Sequence, residues 1–245
     1  MLVAVVDRAG RGGTRKVMQA FEGVERRYAD LGHRLRSPVA AEIVAMPIMG
    51  ASKSAEDRHT LFVSVQAVES GMLDGLIAHE FGHMLRTEEG HASHSPSVYA
   101  AVEKEVRIPR GADQAFGQAF NHIQDIYADD LAFPVFDGRD GRRAYDFFAA
   151  WVDNNVNARS KDRWQNLGLA ASNGFAIGNL VRHRRIEPDD PLWERARSFD
   201  RASGFETLDG FVDFYATLPD DPTPETFVVA VKSLAGLMTG ASAAS

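Results

Sequence analysis

Two histidines four residues apart with a glutamate beside the first, His79-Glu80-Phe81-Gly82-His83, are the residues in this chain best suited to chemistry. On a helix, residues four apart share a face, so both imidazoles can address one metal ion. Glu80 follows His79 and can reach a water held on that ion. The pattern is the signature of zinc hydrolases. Leu73, Leu76, Ile77, Phe81, Met84 and Leu85 surround it and predict a buried helix over 71–86. Buried histidines and a buried glutamate are costly unless something satisfies them, and a metal does so.

A catalytic zinc commonly takes three protein ligands and keeps one open position. The chain has no cysteine, so the third ligand must be His, Asp or Glu. The metzincin continuation needs a Gly three residues and a His six residues after the second motif histidine. Arg86 and Glu89 stand there instead. Glu89, His91 and His94 fall in a polar stretch, 86–97, read as a loop, and each is a possible ligand. A stronger candidate lies on a helix predicted over 113–133, striped by Phe116, Phe120, Ile123, Tyr127 and Leu131. Asp125 and Asp129 are four apart there and share a face. One carboxylate can bind zinc while the other accepts the free N–H of a ligating histidine, fixing its tautomer. His122, one turn before Asp125, is a further alternative.

His79-Glu80-x-x-His83 followed by Asp125-x-x-Ala128-Asp129 resembles the gluzincin metallopeptidases. The branch it is most similar to holds the CAAX prenyl endopeptidases, the heat-shock membrane metalloproteases and the soluble minigluzincins, over roughly residues 40–133. In that group a Glu on the second helix is the third zinc ligand and an Asp orients a zinc-bound histidine. The resemblance therefore implies Asp125 as ligand and Asp129 as orienting residue. Asp in place of Glu is one methylene shorter, which requires closer helices or a part for His122 or Glu89.

The implied activity is zinc-dependent hydrolysis of a peptide bond, with Zn²⁺ on His79, His83 and Asp125 and with Glu80 as general base. Gluzincins also draw an oxyanion donor from the lobe after the second helix, for which Tyr145 and His183, with Arg182, Arg184 and Arg185 beside it, are candidates. A strand predicted over 60–65 is the expected edge for pairing with an extended substrate. Two other readings stay open: a zinc hydrolase of a non-peptide amide, and an inactive zincin-fold module that binds metal or a partner. An intact Glu80 disfavours the last, since a structural site has no use for a base.

The elements needed to position these groups are legible in outline. The expected fold is α+β and mostly helical: a zincin-like core over 1–135 with a small N-terminal sheet, then a helical C-terminal subdomain over 136–245. Helices are predicted near 14–31, 98–106, 142–158, 161–183, 190–199, 206–217 and 224–239, and a strand near 42–49, while 2–6 reads as a short strand or the start of a helix. Thr14 and Thr223 are expected helix caps, and Pro224 is a good first helical residue. Gly50 to Ser54 reads as a turn, and Pro134, Gly138 and Gly141 as the connection after the second ligand helix. Small residues Gly168, Ala171, Gly174 and Gly178 give one helix a face for close docking, expected on the zinc core. Gly10 to Gly13 lacks the Gly-Lys-Ser/Thr ending of a phosphate loop.

Hydrophobic residues at 44% and charged residues at 25% are ordinary for a globular protein. A net charge of −7 disfavours nucleic acid as a partner. The first residues lack the long apolar run of a secretory signal, and no stretch has the length of a membrane span. The expectation is a cytoplasmic protein with a peptide or protein substrate, no nucleic-acid partner and an undetermined oligomeric state.

Overall fold

The structure is a computed structural model and describes residues 1–108, 111–136 and 142–243. Of the connection expected at Pro134, Gly138 and Gly141, the two glycines lie outside these, and Pro134 stands inside a helix that runs on to Phe136. The fold is mostly helical with a small mixed sheet, as the hydrophobic periodicities predict. The strands are β1 (Leu2–Asp7), β2 (Val39–Val44), β3 (Gly50–Ser54) and β4 (His59–Ser64). The helices are α1 (Thr14–Asp30), α2 (Val65–Glu69), α3 (Leu73–Glu89), α4 (Pro96–Glu105), α5 (Asp113–Phe136), α6 (Arg143–Asn157), α7 (Arg163–Arg182), α8 (Pro191–Ala202), α9 (Leu208–Ala216) and α10 (Pro224–Ala243). Among the described residues no helix is long and apolar enough to cross a membrane.

The chain forms two compact units. One comprises Met1–His91 and Tyr127–Gly138, and the other Ala92–Ile126 and Arg139–Ser245. This differs from the expected boundary near 135, because Ala92–Ile126 groups with the later residues.

In the first unit the sheet order is β1-β2-β4-β3. β1, β2 and β4 run parallel and β3 is antiparallel to β4. Val39, Ala41 and Ile43 alternate with more exposed residues on β2, and His59, Leu61 and Val63 do so on β4, giving the sheet one buried face. Helix α1 buries Val17, Phe21, Val24 and Tyr28, spaced at helical period, against α3 and β1. Gly13, at φ 102°, precedes α1 as its cap residue, and Thr14 is the first helical residue rather than the cap. The loop before it is closed by Asp7, whose carboxylate accepts from the backbone N–H groups of Ala9, Gly10 and Gly12.

Two further expectations fail in this unit. Strand β4 is interior, so the substrate edge cannot be 60–65; the edge beside it is β3. Residues 50–54 form that strand instead of a turn. The run Gly-Ala-Ser-Lys-Ser carries no strand signature, and β3 exists through its antiparallel pairing with β4 from Gly50↔Val63 to Ser54↔His59.

The second unit is built around α7, which is buried without a break from Asn166 to Leu180. Helices α6, α8 and α9 pack against it. Its small residues make this possible: a Cβ on Gly174 would meet Phe211 Cβ at 2.3 Å, and one on Gly178 would meet Tyr215 Cβ and Val212 O at 3.0 Å. The small face therefore docks on α9, within its own unit. Asn155 Nδ2 bridges Ser172 Oγ and Asn173 Oδ1, and Trp151 Nε1 donates to Ser172 Oγ. Thr223 caps α10 as expected, its Oγ1 accepting from Thr226 N at 3.3 Å.

Candidate metal centre

Helix α3 presents the two motif histidines on one face, one turn apart. Their Nε2 atoms stand 3.0 Å from each other and their rings cross at 84°. Two nitrogens bound tetrahedrally to one zinc stand about 3.3 Å apart, so the pair is preset close to ligating geometry. His79 Nδ1 lies 2.7 Å from Asp129 Oδ1. A carboxylate beside Nδ1 holds the proton there, which turns the Nε2 lone pair of His79 toward His83. Asp129 is only 6% exposed. Glu80, on the same turn of α3, is 5% exposed.

Helix α5 carries the aspartates. It runs unbroken from the second unit into the first between Ile126 and Tyr127, so Asp125 stands one turn before Asp129 on one continuous helix. One ligand atom each from His79, His83 and Asp125 all lie within 4.8 Å of one another. Two imidazoles and a carboxylate are a donor set that suits zinc and leaves a coordination position open.

The approach of α3 to the second half of α5 depends on Gly82, inside the motif. A Cβ there would sit 2.5 Å from Ala128 O and 3.0 Å from Ala128 C. Gly82 and Ala128 together let the backbones touch, which brings Asp129 within reach of His79. Arg86 Nε fastens the same pair of helices by donating to Tyr127 O at 2.9 Å. Behind α3, Tyr28 stacks on Phe81 with ring centroids 4.5 Å apart and donates its hydroxyl to Ala78 O. Burial holds the Tyr28 phenol well above its usual range, and the negative charge of Asp129 adds to this.

The alternative ligands have other partners. Glu89 is half exposed and pairs with Arg86 Nη1 at 3.1 Å. His91 is buried with its ring 4.6 Å from that of Tyr127. His94 Nδ1 meets Ser93 Oγ at 2.8 Å. His122 Nδ1 stands 3.0 Å from Asp125 Oδ2, so it holds the proposed ligand. In the second unit the Tyr145 hydroxyl donates to Asp190 Oδ1, the N-cap residue of α8, and His183 closes the C-terminus of α7. Arg182 donates to Leu218 O and pairs with Asp220.

A second polar cluster of the first unit was not foreseen. The end of α3 extends past 86 to Glu89, and Gly90 closes it at φ 68°. Glu88 there accepts from the backbone N–H groups of Arg36 and Ser37 and from His59 Nε2, at 2.7–2.9 Å. His59 is 1% exposed, and its Nδ1 meets Ser54 Oγ at 2.8 Å. Burial acts to raise the Glu88 carboxyl, but the hydrogen bonds from Arg36, His59 and Ser37 outweigh it and hold the group at about 2. An ionised Glu88 accepts from His59 Nε2–H, which leaves Nδ1 to accept from Ser54. A cavity of about 470 Å³ opens beside this chain, lined by Arg36, Ser54, Glu56, His59, Thr87 and Glu88 among others. The cluster ties the β3–β4 hairpin and the 36–37 segment to the end of α3. Its polar groups satisfy one another, which is the mark of a strut.

No curated protein and no solved structure matches the chain. A family described as a family of unknown function, DUF5781, matches residues 25–235, which take in the whole sheet except β1, the motif helix and both aspartates. The chain belongs to the DUF5781 family.

Proposed function

We propose that the protein is a zinc-dependent hydrolase of peptide bonds with a zincin-like core. The observation that carries this reading is the facing pair of His79 and His83 Nε2 atoms, backed by Asp129 and joined by a carboxylate oxygen of Asp125. Bound zinc would supply Lewis acidity and a water of lowered pKa. His79, His83 and Asp125 would hold it. Asp129 keeps the proton of His79 on Nδ1 and fixes the ring. Glu80 takes the proton of the attacking water and delivers it to the leaving amine. The outer edge of β3, packed beside α3, offers backbone N–H and C=O groups for an extended substrate chain.

Metal analysis and a peptide-library screen on the purified protein test the proposal together. About one zinc per chain and cleavage of some library members are expected. Glu80→Gln should keep the metal and lose cleavage by 10²-fold or more, on the order expected for a general base. A protein that binds no zinc refutes the reading. Zinc retained with no cleavage by either form points to a binding module in place of an enzyme.

A further inference from the structure

His122 sits in the interior of the second unit, 4% exposed. Its ring lies parallel to that of Phe175, 3° from coplanar with centroids 4.3 Å apart. Trp151 and Tyr215 close the box edge-on, at 5.9 Å and 6.5 Å. Only one polar atom of the ring is used. Nδ1 meets Asp125 Oδ2 at 3.0 Å, while Nε2 is buried with no hydrogen-bond partner among the described residues.

That arrangement is costly as packing. A buried ring nitrogen without a partner loses its hydration and gains nothing. A phenylalanine would fill the same aromatic box, keep the stack on Phe175 and avoid the loss. The one thing it could not do is donate to Asp125. Stability alone therefore does not account for an imidazole here, and the bond to Asp125 does.

We propose that His122 is a positioning residue for the metal centre: its Nδ1–H holds the Asp125 carboxylate in the orientation that ligation needs. The inference rests on the metal-centre reading above. An aspartate side chain rotates about two bonds, and on α5 it has several rotamers open to it. Pinning one oxygen with a donor that is itself clamped between aromatic rings removes that freedom before any metal arrives. The short Asp125 side chain thus acts as a fixed ligand. The centre has two such braces on one helix, Asp129 behind His79 and His122 behind Asp125, with opposite chemistry: a carboxylate steadies an imidazole in one, and an imidazole steadies a carboxylate in the other.

The test is metal affinity, read by competition between the full-length protein and a chromophoric chelator, with Zn²⁺ and with Co²⁺. His122→Phe keeps the ring and its stack and removes the donor. His122→Asn keeps an amide N–H near the position of Nδ1. His122→Phe should weaken metal binding 10- to 100-fold, the size of effect typical of such outer groups. It should also shift the Co²⁺ visible bands, while the metal-free protein unfolds at an unchanged or higher midpoint. His122→Asn should recover affinity to within about threefold of wild type. In an Asp125→Ala background His122→Phe should add no further loss, because its effect runs through Asp125.

Wild-type affinity in His122→Phe, or additive losses in the double variant, overturns the inference while leaving the metal centre standing. Unfolding of His122→Phe overturns it as well, since phenylalanine meets every requirement of the box except the Asp125 bond. A wild-type protein that binds neither metal removes the metal centre itself, and the inference with it.

Discussion

Replacing Gly82 with alanine should damage the centre without touching any of its polar groups. The added Cβ would stand 2.5 Å from Ala128 O, whereas ordinary contact begins at 3.4 Å. The obstacle is backbone carbonyl on a long helix, so it cannot swing aside. Helices α3 and α5 must part locally by about 0.9 Å, an overpacking strain worth roughly 1–3 kcal/mol. Alanine regains about 1 kcal/mol of helix propensity over glycine. The net expectation is a destabilisation of up to about 2 kcal/mol, seen as a fall of up to roughly 8 °C in the thermal midpoint. The same separation would stretch the His79 Nδ1 to Asp129 Oδ1 distance from 2.7 Å to about 3.6 Å, beyond hydrogen-bond reach. Zinc affinity should then drop about 10- to 100-fold through the loss of Asp129 support. Gly23→Ala on α1 is the control. A Cβ there meets nothing within 4 Å, and propensity alone should stabilise the protein by up to about 1 kcal/mol. Urea unfolding and chelator competition on both variants read the two effects separately. A Gly82→Ala protein as stable as Gly23→Ala, with wild-type zinc affinity, would refute the reasoning.

Two further outcomes follow from the first unit. Glu88 is depressed from 4.5 to about 2 in the folded state, so its contribution is full above the unfolded pKa near 4.5 and disappears as pH falls toward 2. Allowing for solvent near the carboxylate, that contribution is about 1–2 kcal/mol. A Glu88→Gln variant should therefore be less stable than wild type at pH 6 by this amount and should converge with it only as pH falls to about 2, as followed by urea unfolding across that range. Tyr28→Phe removes the buried bond to Ala78 O at 2.8 Å and keeps the stack on Phe81. A loss of about 1 kcal/mol is expected in the same assay, and no loss would mean that Ala78 O is fully satisfied within its helix.

The parts of the fold written in local periodicity were legible in the sequence. The stripe Val17, Phe21, Val24, Tyr28 gives α1, the apolar run around His79 gives α3, and Thr223-Pro224 starts α10. The facing of the two motif histidines is likewise local, since i and i+4 on any helix are neighbours. What was not legible depends on partners distant in sequence. Residues 50–54 have no strand propensity and become β3 only because β4 offers a ladder. Residues 86–89 look like a loop because they are polar. They stay helical because Thr87 Oγ1 bonds back to His83 O, Arg86 reaches Tyr127 O and Glu88 collects the 36–37 backbone. His122 was weighed as a ligand. A buried histidine and an aspartate three residues on bond to each other more readily than both reach a third point. The small-residue face of α7 was recognised, but a sequence does not say which helix will meet it, and α9 does.

The first compact unit takes its last piece, Tyr127–Gly138, from beyond residues 92–126. That interruption has a consequence on the ribosome. Strands β1 to β4 and helices α1 to α3 are synthesised before the second half of α5. At typical synthesis rates the intervening stretch takes about 2–7 s to translate. During that interval Gly82 has no Ala128 to meet and His79 has no Asp129 to hold its proton. The nascent chain therefore carries the motif with its two histidines on one face of α3 but without the carboxylate that fixes the His79 ring. The site is completed by the return of α5 and not by the segment that contains the motif.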